Sequence, residues 1–181
     1  MEPAEPAPFF LAQAARVREA SLLGVVCDLA AGRGRHALAA AGLGARVVAI
    51  DRSREALREL AARAASHALA VSALRADLET PHGIPLRPGS CGAILVFRFL
   101  FRPLARAIVE CLAPGGLLLH ETFTLQQREA PYGPKNPAFL LEPGELAALF
   151  AGLEILSSSE GWTAGPRPEA LARLAARKPG P

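Results

Sequence analysis

The fold of this chain is decided by residues 25–34, VVCDLAAGRG, taken together with residues 47–51, VVAID. Each segment is a short apolar run, typical of a strand buried within a parallel sheet. The turn after the first run contains Gly32 and Gly34, where the backbone can approach a ligand closely because no Cβ intervenes. Asp51 ends the second run and is placed to accept hydrogen bonds from the two hydroxyls of a ribose. The pattern predicts a site for a nucleoside-containing cofactor.

Two kinds of cofactor site fit these residues. Residues 32–37, GRGRHA, match the G-x-G-x-x-G/A fingerprint of dinucleotide-binding folds, which is followed by an acidic residue roughly 20 positions later. A dinucleotide site, however, needs no carboxylate before the glycines, because the pyrophosphate rests on amides and a helix N-terminus. Here Asp28 precedes Gly32, and the spacing Asp28-x-Ala30-x-Gly32-x-Gly34 resembles the first motif of the class I S-adenosylmethionine methyltransferases. Their cofactor carries a cationic amino group that a carboxylate can bind, so this interpretation is favoured.

Further segments strengthen the resemblance. Residues 76–78, ADL, are similar to the third-strand motif whose aspartate and following amide hold the adenine ring in this family. Residues 112–119, LAPGGLLL, resemble the turn that leads into its fifth strand. Residues 121–124, 133–137 and 140–146 are similar to a group of small bacterial methyltransferases of the TehB-like type. The resemblance runs from about residue 8 to residue 178, and Ala30 departs from it, since the family usually has glycine there.

The resemblance implies a single α/β domain over residues 1–181. Its sheet is doubly wound, mostly parallel, seven-stranded and Rossmann-like, with helices on both faces. An N-terminal helix within residues 1–20 and a lid loop at residues 122–141 are also expected. It implies S-adenosyl-L-methionine as the cofactor. The expected cofactor contacts are Asp28, Ala30, Gly32, Gly34, Asp51, Arg52, Asp77, Leu78 and Phe97.

Hydrophobic runs place strands near residues 24–29, 46–50, 70–74, 93–97, 117–121 and 153–157, and helices near 8–20, 35–41, 53–66, 103–112 and 142–150. Ser53 is the expected N-cap of one helix. Residues 169–178 consist largely of Ala, Leu and Arg, which favour a helix. The fold that the chain resembles has its antiparallel last strand there, so a strand is predicted.

The catalytic residues are less evident than the cofactor site. The ends of strands four and five bring Arg98, His120 and Thr122 near the expected methyl group, and a lid could add Tyr132, Lys135 and Asn136. His120 could be a general base, because the unperturbed pKa of histidine suits that role, but a packed, hydrogen-bonded histidine is favoured. Arg98 and Arg102 could receive an anionic substrate or pair with acids. Tyr132, in a turn, could contact substrate or only pack.

Composition bounds the function. The 181 residues are 51% hydrophobic and 20% charged, which suits one globular domain. No apolar run reaches the roughly 20 residues of a membrane span, and the acidic, proline-containing start is unlike a secretory signal. Cys27, Cys91 and Cys111 are odd in number and lie in apolar segments, so buried free thiols and a cytoplasmic location are expected.

Other classes of binding are not indicated. The net charge is only +3, the arginines are scattered, and one Trp and one Tyr offer few stacking surfaces, so nucleic-acid binding is not expected. The segment after strand four, residues 97–100, lacks the Asn/Asp-Pro-Pro-aromatic sequence of enzymes that methylate base amines. The histidines outside position 120 are dispersed, and no metal site is expected.

Three functions therefore compete. The first is methyl transfer to a small molecule, and the TehB-like resemblance implies that the acceptor is a soft thiol or chalcogen nucleophile. The second is an RNA or protein methyltransferase, which would need a basic rim around the site. The third is a non-catalytic S-adenosylmethionine-binding protein.

Overall fold

The computed structural model describes residues 5–180. It contains seven strands: β1 (Val25–Leu29), β2 (Val47–Asp51), β3 (Val71–Arg75), β4 (Cys91–Phe97), β5 (Leu112–Phe123), β6 (Glu154–Trp162) and β7 (Ala170–Arg177). They form one sheet in the order β3-β2-β1-β4-β5-β7-β6. Strands β1 to β5 are parallel, whereas β7 runs antiparallel between β5 and β6. The predicted doubly wound, mostly parallel sheet is confirmed.

Helices cover both faces of this sheet. They are α1 (Pro8–Ala12), α2 (Ala14–Ala20), α3 (Arg35–Gly42), α4 (Arg54–Ser66), α5 (Ala105–Cys111) and α6 (Glu145–Leu149), with single 3-10 turns at Arg102–Leu104, Leu125–Glu129 and Pro137–Phe139. One buried cluster joins the sheet to α1–α4, and a second joins it to α5 and α6. All of β4 is buried because it lies between both layers, which explains its uninterrupted apolar sequence.

The N-terminal helix expected within residues 1–20 is two helices instead. Gln13 has φ −105° and ψ 5°, which ends α1 before α2 begins. The break lets each short helix bury an apolar residue against the sheet, Phe10 from α1 and Val17 from α2. Residues 1–4 of the expected helix segment lie outside the described residues.

The strand predicted at residues 169–178 is confirmed, although the helix propensity of these residues favours a helix. β7 is buried along nearly its whole length, and its pairing with β5 and β6 satisfies the backbone on both sides. Successive residues of β7 face opposite sides of the sheet: Leu174 and Ala176 belong to one core cluster and Ala175 to the other. A helix at this position would leave a gap in the middle of the sheet. β6 and β5 are longer than predicted, and the helix predicted at 142–150 is shortened to Glu145–Leu149.

Candidate active site

A cleft of about 440 Å³ opens where the parallel strands end. Its first part, the β1–β3 half, is formed by Ala30, Asp51, Arg52, Ala76, Asp77, Leu78 and Glu79. Its second part, the β4–β5 half, is formed by Arg98, Phe99, Leu100, Thr122, Phe123, Pro134 and Phe139. Ligands of open α/β sheets bind at this edge, and the volume lies within the range of small-molecule sites.

Asp51 holds the turn that borders the β1–β3 half. One carboxylate oxygen accepts a hydrogen bond from the amide of Gly32 at 2.7 Å, and the other accepts from the amide of Ser53, also at 2.7 Å. Ser53 itself is the N-cap of α4, as expected, because its hydroxyl accepts from the amide of Ala56. Each oxygen of Asp51 retains a lone pair for a ligand, so the residue combines a structural role with a place in the cleft.

The turn between β1 and α3 has three residues with left-handed backbone: Ala30 at φ 53°, Gly32 at φ 54° and Gly34 at φ 75°. A Cβ on Gly34 would lie 2.2 Å from Cδ1 of Leu60 on α4. For Gly34, the expectation that the missing Cβ leaves room for a ligand is therefore wrong, because a Cβ at this position would enter the core. At Gly32 a Cβ would meet nothing within 4 Å, so its backbone conformation is what favours glycine.

Asp28 lies buried behind this turn, on the sheet face that carries α3. Its carboxylate accepts a hydrogen bond from the amide of Ala37 at 2.9 Å. Burial raises the pKa of Asp28 to about 7, although the Ala37 amide and the charge of Arg35 act in the opposite direction. A buried carboxyl with this pKa is stabilised as an anion by any cation that binds beside it.

The outer end of the β1–β3 half is formed by residues after β2 and β3. Asp77 accepts from the amide of Glu79 at 2.9 Å, and Leu78 is buried beneath it. Arg52 and Glu79 form an exposed ion pair at 2.9 Å. Arg52, Asp77 and Leu78 thus line the same half of the cleft.

The β4–β5 half is organised by Arg98, which has φ 60° and donates its amide hydrogen to the carbonyl of Glu121. Its guanidinium forms two 2.6 Å hydrogen bonds to the carboxylate of Glu169 and lies 4.7 Å from the centre of the Phe123 ring. Left-handed backbone at a non-glycine residue is frequent at functional sites.

Glu121 continues this arrangement into the interior. It is 1% exposed, and one of its oxygens accepts from Nε of Arg173 at 2.8 Å. Its other oxygen is 3.7 Å from Nε of Arg98 and accepts no hydrogen bond. Arg173, Glu121, Arg98 and Glu169 form an ionic chain of alternating sign. Sequence reasoning missed Glu169 and Arg173, since the only available signal was the general tendency of buried charges to be paired.

Two of the other catalytic candidates do not line the cleft. His120 is buried, its Nε2 donates to the carbonyl of Phe99 at 3.1 Å, and its ring packs on Phe150. Burial lowers the pKa of His120 to about 4. The hydroxyl of Tyr132 donates to the carbonyl of Pro168 at 2.7 Å, and Tyr132 does not line the cleft although Pro134, two positions later, does. Arg98 and Thr122 are the candidates that do line it.

Phe97, expected among the cofactor contacts, has its ring elsewhere. The ring stacks on that of His36 with centroids 3.8 Å apart, and it also contacts Phe9 and Phe10. Burial lowers the pKa of His36 to about 3, and its Nε2 accepts from the amide of Ala7. Alternation along β4 directs Phe97 toward α1 and α3, so only its backbone remains near the strand end.

The segment predicted as a lid has internal structure. Gln127 is completely buried and bonds to the amide of Ala170 and the carbonyl of Tyr132. Lys135 donates to the carbonyls of Gln127, Arg128 and Ala130, and Asn136 caps the turn at Pro137–Phe139. Lys135 and Asn136 are therefore occupied in shaping the segment.

Arg102 ties this segment to α6. It pairs with the carboxylate of Glu145 and donates to the carbonyls of Ala138 and Leu140. The choice left open for Arg98 and Arg102, anion receptor or partner of an acid, is resolved as pairing with acids.

A family model described as a methyltransferase domain matches residues 26–116, which is half of the chain. The chain belongs to this methyltransferase family. Its cofactor is S-adenosylmethionine, the interpretation that the sequence favours for the glycine turn. Among curated proteins, no sequence matches the chain significantly.

Solved structures show the same fold. The structure is similar to TehB from Haemophilus influenzae, with a TM-score of 0.72 and 19% identity over 91% of this chain and 62% of that chain. The chain thus spans less than two thirds of that relative's length. A methyltransferase from Methanosarcina mazei has a TM-score of 0.73 and 15% identity, covering 98% and 100% of the two chains. A methyltransferase from Aquifex aeolicus has a TM-score of 0.65 and 18% identity, over 94% of this chain and 93% of that chain.

The described residues form neither a cluster of metal ligands nor a membrane-spanning helix. Within residues 5–180, no three His, Cys, Asp or Glu side chains are grouped as metal ligands would be. In the same range, every helix is too short or too polar to cross a bilayer.

Proposed function

We propose that this methyltransferase acts on a small molecule and that the accepting atom is a soft nucleophile such as a thiol sulfur. The observation that carries the proposal is the chemistry of the β4–β5 half. Of the described residues that line the cleft, none is a His, Cys, Lys or Tyr, and its carboxylates, Asp51, Asp77 and Glu79, all lie in the β1–β3 half, where they hold backbone amides or Arg52. No general base therefore lines the β4–β5 half. The acceptor must arrive ready to react.

The residues present fit the cofactor. The adenosine would lie in the β1–β3 half, with the remaining lone pairs of Asp51 directed to ribose hydroxyls and Asp77 and the amide of Leu78 at the adenine. The methionine part would lie toward the turn at Gly32 and Gly34. Asp28 carries a raised pKa and one amide donor, so an ammonium group is the partner that its buried anion lacks.

The cofactor supplies an activated methyl group on a sulfonium. The protein then needs to align the acceptor for in-line displacement and to exclude water. The acidic residues in the cleft already have partners: Asp51 and Asp77 hold backbone amides, and Glu79 pairs with Arg52. A thiolate suits such a site, because sulfur is a strong nucleophile without a base beside it.

We also propose that residues 122–141 act as a lid. Pro134 and Phe139 from this segment line the cleft, and the Arg102 contacts hold its C-terminal end on the body of the protein. The internal bonds of Gln127 and Lys135 make the segment a unit that could close over a bound acceptor.

The buried, unpaired state of all three cysteines supports a reducing compartment such as the cytoplasm.

Calorimetric titration with S-adenosylhomocysteine, combined with a methyl-transfer assay on thiols, amines, RNA and protein, tests the proposal. We expect binding of the product nucleoside and transfer to small thiols. Transfer to RNA or protein alone would overturn the small-molecule assignment, and tight binding with no transfer to any acceptor would favour a binding protein.

A further inference from the structure

The wall of the β4–β5 half is almost entirely apolar. Apart from Arg98 and Thr122, it consists of Phe99, Leu100, Phe123, Pro134 and Phe139. Phe139 is 46% exposed, which is unusual for a large aromatic side chain and places an unpartnered ring at the rim of the cleft. Aromatic rings of this kind bind flat apolar groups by burial and by edge or offset contacts.

The single cation of this half is already neutralised. Arg98 shares two hydrogen bonds with Glu169, and the buried carboxylate of Glu121 lies on its other side. The further arginine of the ionic chain, Arg173, is held by Glu121. The two arginines and two glutamates of this ionic chain balance one another. A small hydrated anion would have to give up its water beside an apolar wall, where the guanidinium of Arg98 is already bound by Glu169.

We propose that the acceptor is a thiol attached to an uncharged aromatic body, and that Phe123 and Phe139 determine this specificity. The inference rests on the proposed function and names its substrate class. The ring of the acceptor contacts the two phenylalanines, which directs the sulfur toward the strand ends where the methyl is presented. Charged thiols and inorganic oxyanions are poor acceptors.

The chemical step is balanced without a further reactant. The thiol loses its proton to solvent before or on entering the cleft, where a thiolate on an aromatic ring forms readily. The sulfur then forms a bond to the methyl carbon as the bond between that carbon and the sulfonium breaks. The products are an aryl methyl thioether and S-adenosylhomocysteine.

Matched acceptors separate the effect of the body from that of the nucleophile. Thiophenol and 4-mercaptobenzoate share an aromatic thiol and differ by one carboxylate, whereas phenylmethanethiol and 2-mercaptoethanol share an aliphatic thiol and differ in the ring. We expect thiophenol and phenylmethanethiol to have kcat/KM at least about tenfold above their partners, consistent with burial of a phenyl ring. Selenite should react more slowly than thiophenol.

A variant pair tests the named residues. Phe139→Ala should raise KM for thiophenol about tenfold and weaken binding of thioanisole to the S-adenosylhomocysteine complex by a similar factor. Trp162→Ala is the control, since Trp162 is an exposed aromatic of comparable exposure (42%) on the edge strand β6 and does not line the cleft. It should leave both values unchanged.

The outcomes are distinguishable. If thiols are methylated but 4-mercaptobenzoate or selenite is preferred, the specificity inference is overturned while the proposed function stands. If no thiol is methylated although S-adenosylhomocysteine binds, the proposed acceptor chemistry fails, and the thioanisole titration still decides whether the wall binds aromatic groups. Unchanged thioanisole affinity in Phe139→Ala also overturns the inference.

Discussion

The two halves of the cleft are built by different kinds of interaction. In the β1–β3 half, carboxylates hold backbone amides: Asp51 holds those of Gly32 and Ser53, and Asp77 holds that of Glu79. In the β4–β5 half, charged side chains hold one another across the sheet, and Arg98 reaches Glu169, 71 positions along the chain. The first half depends on backbone shape. The second depends on the pairing of one buried charge, on Glu121, and three half-buried charges, and it is sensitive to the loss of either partner in a pair.

The largest effect should come from Glu121. Glu121→Ala leaves Arg98 and Arg173 with one carboxylate fewer in a buried place, so we expect the free energy of unfolding to fall by about 3–5 kcal/mol. Urea denaturation measures this change. Glu110→Ala, which breaks the exposed pair with Arg106, is the control and should change stability little. Equal effects of the two variants would show that burial of the ionic chain is unimportant.

Gly34→Val tests whether a side chain at this position enters the core instead of the cofactor site. Its side chain would meet Leu60 and would also be strained at φ 75°, so we expect a loss of about 2 kcal/mol or more. Gly44→Val is the matched control, because Gly44 has φ 92° and open space at its Cβ. Thermal unfolding of both should show a greater loss for Gly34. Equal losses would mean that the backbone conformation alone accounts for the cost.

Asp51→Ala should affect both stability and binding. We expect affinity for S-adenosylhomocysteine to fall tens- to a few hundredfold, since charge-assisted bonds to hydroxyls contribute roughly 1.5–3 kcal/mol. Release of the Gly32 and Ser53 amides should also lower stability by about 1 kcal/mol. Ser53→Ala removes the N-cap alone. Calorimetry at a temperature where all variants are folded should show weak binding for Asp51→Ala only; comparable affinities would remove Asp51 from the cofactor site.

The pKa of Asp28, raised to about 7, makes cofactor binding dependent on pH. The free protein holds a proton on Asp28 below this pH, whereas a bound ammonium favours the anion. Affinity should therefore rise about tenfold per pH unit below 7 and level off above it. For the free protein the sign is opposite: a raised folded-state pKa means that stability falls as pH rises from about 4 to 7. Asp28→Asn should remove both dependences, and a persistent binding profile would assign them to another group.

Ala30→Gly should have the smallest effect. Alanine at φ 53° carries strain of about 1–2 kcal/mol that glycine lacks, partly offset by the entropy of glycine in the unfolded chain. A gain of about 1 kcal/mol is expected in thermal unfolding. Ala68→Gly, at φ 51° after α4 and away from the cleft, should give a similar gain. A gain at Ala68 with a loss at Ala30 would show that the Ala30 methyl contributes to the turn.

The sequence itself indicated the doubly wound sheet, the family and the residues of the β1–β3 half. Asp28 lies near the end of β1, Gly32 follows that strand and Asp51 ends β2. Parallel topology brings these strand ends together, so spacing along the chain was enough to locate the three residues. It also indicated β7, but only through the resemblance, because the local preference of Ala, Leu and Arg favours a helix and pairing with β5 and β6 prevails.

Only the tertiary structure decided the partners of these residues. That Gly34 faces Leu60, that Phe97 turns away to His36, and that Arg98 is held by Glu169 each depend on segments distant in sequence. The spacing of the motifs locates the ends of the strands, whereas the environment of a side chain depends on which residues from elsewhere in the chain pack against it. The β4–β5 half consists largely of such contacts, and its charge balance and apolar wall therefore became visible only once the chain was folded.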